Sequence, residues 1–153
     1  MKRILLVLSI TGLLSGCVKD TSCSPKTVQS EQAVIVNYAL TEGINATEHN
    51  TGLYYEIINP GTGTTPTPNN NISVTYTGKL LDGTVFDSKT TPVQLALGQA
   101  IHGWQIGLTL LKEGGTIKLI IPSSLAWGCT GAGSGTIPRD AVVYFEVTLV
   151  DVL

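Results

Sequence analysis

The chain has 153 residues, 42% hydrophobic and only 13% charged, with a formal charge of −2. That length fits one compact domain with tails, and the charged fraction is well below the roughly one quarter usual for soluble domains. No basic footprint for nucleic acid is present.

The first residues, MKRILLVLSITGLLSGC, join a basic start (Lys2, Arg3) to an apolar run from Ile4 to Leu14 and then small residues. This is the pattern of a secretory signal, too short to span a bilayer. A buried N-terminal helix or strand is the alternative. Leu14-Ser15-Gly16-Cys17 resembles the bacterial lipobox, which implies cleavage after residue 16 and acylation of Cys17. Two or more acyl chains anchor a protein stably. The residue after the cysteine is Val18, not Asp, which favours the outer membrane of a cell envelope and leaves the side open. Losing Lys2 and Arg3 takes the formal charge from −2 to −4.

Residues 17–28 are polar, with Ser24-Pro25 at their centre, and read as a flexible tether. Residues 29–51 read as a helical extension. Ser30 is the expected cap, and Val34, Ile35, Tyr38 and Leu40 the apolar face of a short helix over 30–40. Cys23 and Cys129 accompany Cys17. An exported protein meets disulfide-permissive conditions, but a Cys23–Cys129 bridge would have to pull the tether onto the domain. Two free thiols are the simpler expectation.

From Gly52 to residue 153 the period changes to two. Leu53–Ile58 reads as a strand and 61–71 as a loop rich in Gly, Pro and Asn. Ile72, Val74 and Tyr76 alternate with polar residues, as do Val93, Leu95 and Leu97. Asp82-Gly83 marks a turn between two strands. Thr116–Ile121 is a strand stopped by Pro122. The last strand, 142–152, puts Val143, Phe145, Val147 and Leu149 on one face. One internal helix is expected over His102–Leu111, with Trp104, Leu108 and Leu111 at helical spacing. The sum is an α+β domain: about five antiparallel strands covered by one helix.

Motifs for nucleophilic catalysis, phosphate binding or metal binding are absent. His49 and His102 are isolated, so no metal or cofactor is expected. The chain has two Trp, five Tyr and two Phe. Tyr76, Phe86, Trp104, Trp127 and Phe145 form either a core or a pocket; composition does not choose. Asp87 directly follows Phe86. Strand parity sends these neighbours to opposite faces, so both reach one pocket only if the strand bends or ends there. The plainer reading is that Asp87 caps the following turn with Ser88.

VTYTGKLLDGTVFDS (74–88), LALGQAIHGWQIGL (95–108), LIIPSSLAWG (119–128) and IPRDAVVYFEVTLV (137–150) together resemble the FKBP family of peptidyl-prolyl cis-trans isomerases. The resemblance spans about residues 52–153, and Phe86-Asp87-Ser88, Gly103-Trp104 and Ile137-Pro138 are its distinctive points. It implies a twisted antiparallel sheet wrapped on one short helix, with a proline-accepting pocket between them. Trp104 would be the floor of that pocket. Tyr76, Phe86, Val93, Ile101, Trp127, Ile137 and Phe145 would be its walls. The Ile101 N–H would meet a substrate carbonyl. Asp87 would sit at the edge, hydrogen-bonded to neighbours such as the Tyr76 hydroxyl and facing the twisting amide. The implied partners are proline-containing polypeptides, with the membrane reached through Cys17.

The chain also departs from the family's pattern. Val93 stands where a larger aromatic is frequent, Trp127 where tyrosine is common, and His102 where proline often precedes Gly-Trp. The loop from Gly128 to Pro138 is short, with no inserted chaperone domain, and no histidine-rich tail is present. A proline-binding module with little or no turnover, and a surface interaction protein using the domain as a scaffold, are the rival readings.

Overall fold

The computed structural model describes residues 23–153. The signal segment and Cys17 lie outside the described residues. Helix α1 (Val28–Thr41) is followed by strands β1 (Thr47–Glu48), β2 (Tyr54–Asn59), β3 (Asn71–Leu80) and β4 (Val85–Ala96). Helix α2 (His102–Leu108) and strands β5 (Thr116–Ile121) and β6 (Val143–Val152) complete the chain. All strand pairings are antiparallel, in the order β1-β2-β5-β6-β3-β4. The expected α+β sheet on a short helix is present. The sixth strand is the two-residue β1, inside the 29–51 stretch expected as a helical extension.

The alternation in β6 sets the architecture. Val143, Phe145, Val147 and Leu149 are at most 3% exposed and face α2, packing with Ile72, Val74, Trp104, Leu108, Ile117 and Leu119. Gly103 lets α2 settle on β5, since a Cβ there would lie 2.5 Å from Ile121. Helix α2 ends at Leu108, earlier than the spacing predicts; Leu111 is still buried, from the turn that follows.

The opposite face of the sheet carries a second core. Ile35 and Ala39 of α1 pack there with Ile44, Tyr54, Ile120, Val142 and Tyr144. This corrects the expected helix face: Val34 is 54% and Leu40 76% exposed. The inward side is Glu31, Ile35 and Ala39, spaced by four. The cap is also earlier than expected, because Thr27 accepts the Ser30 N–H. Hydropathy misjudged this face because its first buried position is an acid. Glu31 is 3% exposed, and its Oε2 accepts the Ser123 N–H at 2.9 Å. A partnered carboxylate can be buried where an isolated one cannot.

The two-thiol expectation is overturned. Cys23 and Cys129 form a disulfide, with Cα atoms 5.3 Å apart and a sequence separation of 106. The 23–27 stretch is therefore held against the domain. In the chain-entropy account, closing a loop of about 100 residues contributes about 4.7 kcal/mol.

Glu31→Ala is expected to lower stability by about 1–3 kcal/mol, since it leaves the Ser123 N–H buried without its acceptor. Urea unfolding of parent and variant measures this; equal midpoints and slopes would mean that the contact contributes nothing.

Candidate active site

A cavity of about 400 Å³ opens between α2, the β3–β4 pair and the 125–137 connection. It is lined by Tyr76, Phe86, Asp87, Leu95, Ala100, Ile101, Trp104, Trp127, Gly133, Thr136, Ile137 and Phe145. The structure thus brings together eight of the nine pocket residues expected from sequence. Val93 is the exception: it pairs with Val74 and packs on the core beside the cavity, and Leu95 supplies that wall.

The rings meet edge to face. Trp104 lies 5.0 Å from Tyr76 at 83° and 5.2 Å from Phe145 at 81°. Phe86 lies 5.4 Å from Phe145 at 82° and 5.9 Å from Trp127 at 87°. Such pairs contribute about 0.5–1.5 kcal/mol each beyond their buried area. Gly78 makes the approach possible. A Cβ there would stand 2.6 Å from the Phe145 ring and 2.7 Å from the Phe86 ring.

The parity problem at Phe86-Asp87 is solved by a β-bulge. Gly78 pairs with Asp87, but Lys79 pairs with Val85, so Phe86 is an extra residue on β4. A bulge bends its strand and re-aims a side chain. Both residues therefore line the same cavity. Asp87 is no mere turn cap: its Oδ2 accepts the Tyr76 hydroxyl at 2.6 Å. Its other oxygen lies 3.7 Å from Lys89 Nζ, with both side chains nearly half exposed. An ion pair that exposed contributes little.

Two donors are left free. The Ile101 N–H makes no hydrogen bond among the described residues, while the Ile101 carbonyl accepts from Trp104 and Gln105. The buried indole N–H of Trp104 has no acceptor among them either. The site is an apolar ring cage with one carboxylate at its edge and a backbone donor in its wall.

A profile of the FKBP-type peptidyl-prolyl cis-trans isomerases matches residues 62–150. The chain belongs to the FKBP family. The FKBP-type 22 kDa peptidyl-prolyl cis-trans isomerase of Escherichia coli K12 is 42% identical over 118 residues, covering 75% of this chain and 56% of that protein. A peptidyl-prolyl cis-trans isomerase from Pseudomonas syringae pv. tomato superposes with a TM-score of 0.69 at 30% identity, covering 84% of this chain and 98% of that one. The structure of FkpA from Escherichia coli gives 0.71 at 33%, covering 82% and 60%. The chain spans about half the length of the curated relatives it matches.

In this FKBP domain, Leu95, Ala100, Gly133 and Thr136 are lining residues that sequence reasoning missed. Leu95 shares the alternation of Val93, so the right strand face was readable but not which residue reaches the cavity. Gly133 and Thr136 come from a small flap. It is closed by the Ala132–Ile137 bridge, with hydrogen bonds of 3.0 Å in both directions. No periodicity marks such a loop. His102 begins α2 and is exposed, and His49 accepts the Thr51 N–H at 3.3 Å in a turn.

Burial, with the Asp87 hydrogen bond and charge added, pushes the Tyr76 phenol up from 10.0 to about 12. The hydroxyl is therefore a donor throughout the neutral range. A raised folded-state value means that its stabilisation is complete below about pH 10 and lost as pH rises towards about 12. The stability difference between parent and Tyr76→Phe is expected to be constant below about pH 10 and to shrink above it. Chemical denaturation across that range tests this; a difference that grows with alkalinity has the wrong sign.

Proposed function

We propose that this chain is a peptidyl-prolyl cis-trans isomerase that accelerates Xaa-Pro isomerisation in exported polypeptides. The observation that carries the reading is the ring cage around Trp104, with the hydrogen-bonded Asp87–Tyr76 pair at its edge and the free Ile101 N–H in its wall. The reaction makes and breaks no covalent bond to protein. Amide resonance sets a barrier of about 18–20 kcal/mol, and the cis and trans forms of an Xaa-Pro bond differ by only about 0.5–1 kcal/mol. At the twisted geometry resonance is lost, the carbonyl carries less charge, and its need for water falls. A water-poor cage that holds the proline ring binds that state better than either planar one, which is differential transition-state binding. Trp104 is the floor, Phe86, Phe145, Trp127 and Ile137 hold the ring, and Ile101 positions the chain. Tyr76 and Asp87 shape the field at the amide.

Relaxation of short Xaa-Pro peptides tests this. The parent is expected to accelerate exchange, with Asp87→Ala and folded Trp104→Ala slower by about tenfold, equivalent to about 1.4 kcal/mol of transition-state stabilisation. Full activity in folded Trp104→Ala would rule out the pocket. Peptide binding by the parent without acceleration would favour the proline-binding module.

The same proposal includes a lipid anchor at Cys17 in a bacterial envelope, with the outer membrane the favoured site. Its support is the signal pattern ending in Leu14-Ser15-Gly16-Cys17. The Cys23–Cys129 disulfide also supports it, because such bonds persist in oxidising compartments. Cys17→Ser is expected to block processing of the precursor and acyl labelling. A variant that is still cleaved and labelled rules the anchor out.

A further inference from the structure

Segment 123–129 carries Trp127, one wall of the cavity, and runs into the flap that supplies Gly133, Thr136 and Ile137. The N-terminal extension grips this segment at both ends. Glu31 of α1 accepts the Ser123 N–H at 2.9 Å. Cys23, four residues before the Thr27 cap, is bonded to Cys129. Trp127 lies between these two points. Helix α1 is itself held by Ile35 and Ala39 in the second core.

The flap is fastened mostly to itself: by the Ala132–Ile137 bridge, the Gly135 N–H to the Ala132 carbonyl at 3.3 Å, and the Thr136 N–H and hydroxyl to the Gly133 carbonyl at 3.1 and 2.8 Å. Its ties to the rest of the domain among the described residues are the buried Ile137 side chain, the Asp140 N–H to the Gly128 carbonyl at 2.9 Å, and the Thr130 hydroxyl to the Trp127 carbonyl at 2.8 Å. Its backbone passes through left-handed conformations at Gly131, Gly133, Ser134 and Gly135, with φ of 66°, 61°, 53° and 100°. Such a segment is readily displaced unless its base is held.

The geometry points to the Cys23–Cys129 disulfide as a positioning element of the proline pocket. It holds Trp127 and the 130–137 flap against the cavity, so opening it weakens the hold on proline-containing chains and leaves the chemistry of the bound amide intact. The inference rests on the isomerase reading. A dithiol reductant opens the bond in two steps. A thiolate attacks the sulfur of Cys23, which is exposed, whereas Cys129 is 6% exposed. A mixed disulfide forms, and Cys129 leaves as a thiolate and takes up a proton. The reagent's second thiol then displaces Cys23, which takes up the second proton. Two electrons enter the protein, and the reagent departs as a cyclic disulfide.

The test uses the full chain in mild detergent: oxidised, reduced with dithiothreitol, and reoxidised after reductant removal. KM and kcat for an Xaa-Pro peptide are measured beside hydrogen exchange at 127–137. Reduction is expected to raise KM by about threefold or more with kcat little changed, and to speed exchange in the flap by about tenfold. Reoxidation restores both. Unchanged KM together with unchanged flap exchange overturns the inference. The exchange arm needs no turnover. An inactive oxidised chain sinks the isomerase reading, while flap exchange still decides what the bond holds. If the reduced chain unfolds, inserting Gly-Ser-Gly-Ser after Lys26 keeps the bond but slackens the link to α1. The same rise in KM is expected there, and a parental KM overturns the inference.

Discussion

The Phe145 ring is the point on which both fold and site depend. It is 3% exposed on the central strand β6 and meets rings from four other parts of the chain. Tyr76 comes from β3, Phe86 from the β4 bulge, Trp104 from α2 and Trp127 from the connection after β5. Each contact ties a different element to the sheet. The cavity is what these rings leave open where they cannot close on one another. Core and site are one object, so a change at Phe145 is felt in packing and in binding together.

The polar part of the site depends on a local irregularity in the same region. A regular β4 would send Phe86 and Asp87 to opposite faces. One extra residue in the ladder brings both to the cavity, and the missing side chain of Gly78 makes room for the ring. The Tyr76 hydroxyl then engages Asp87. The carboxylate stays half exposed and avoids the desolvation that full burial would impose.

The N-terminal extension joins the domain through the other face of the sheet, and it does more than cover it. Its one buried acid and its one described cysteine both reach segment 123–129. The Glu31 link was not legible beforehand, and the sequence favoured two free thiols over the Cys23–Cys129 bridge. Glu31 looks like a solvent residue in any hydropathy pattern, and Cys23 lies in a stretch whose composition reads as tether. A partner more than ninety residues away in the chain leaves no trace in local spacing.

The alternation of Val143, Phe145, Val147 and Leu149, the Asp82-Gly83 turn and the stop at Pro122 were enough to mark the strands and the α+β class. Those are local properties, governed by side-chain period and backbone freedom. The four blocks between residues 74 and 150 were enough to mark the family and most of the ring cage. Tertiary structure decided the rest: the bulge at Phe86, Leu95 in place of Val93, the flap residues Gly133 and Thr136, the buried side of α1, and the disulfide. Each of these depends on which distant segments come into contact, and a one-residue shift in strand register or a few ångströms of approach changes the answer. Sequence period determines which face a residue takes; only the assembled packing determines what that face meets.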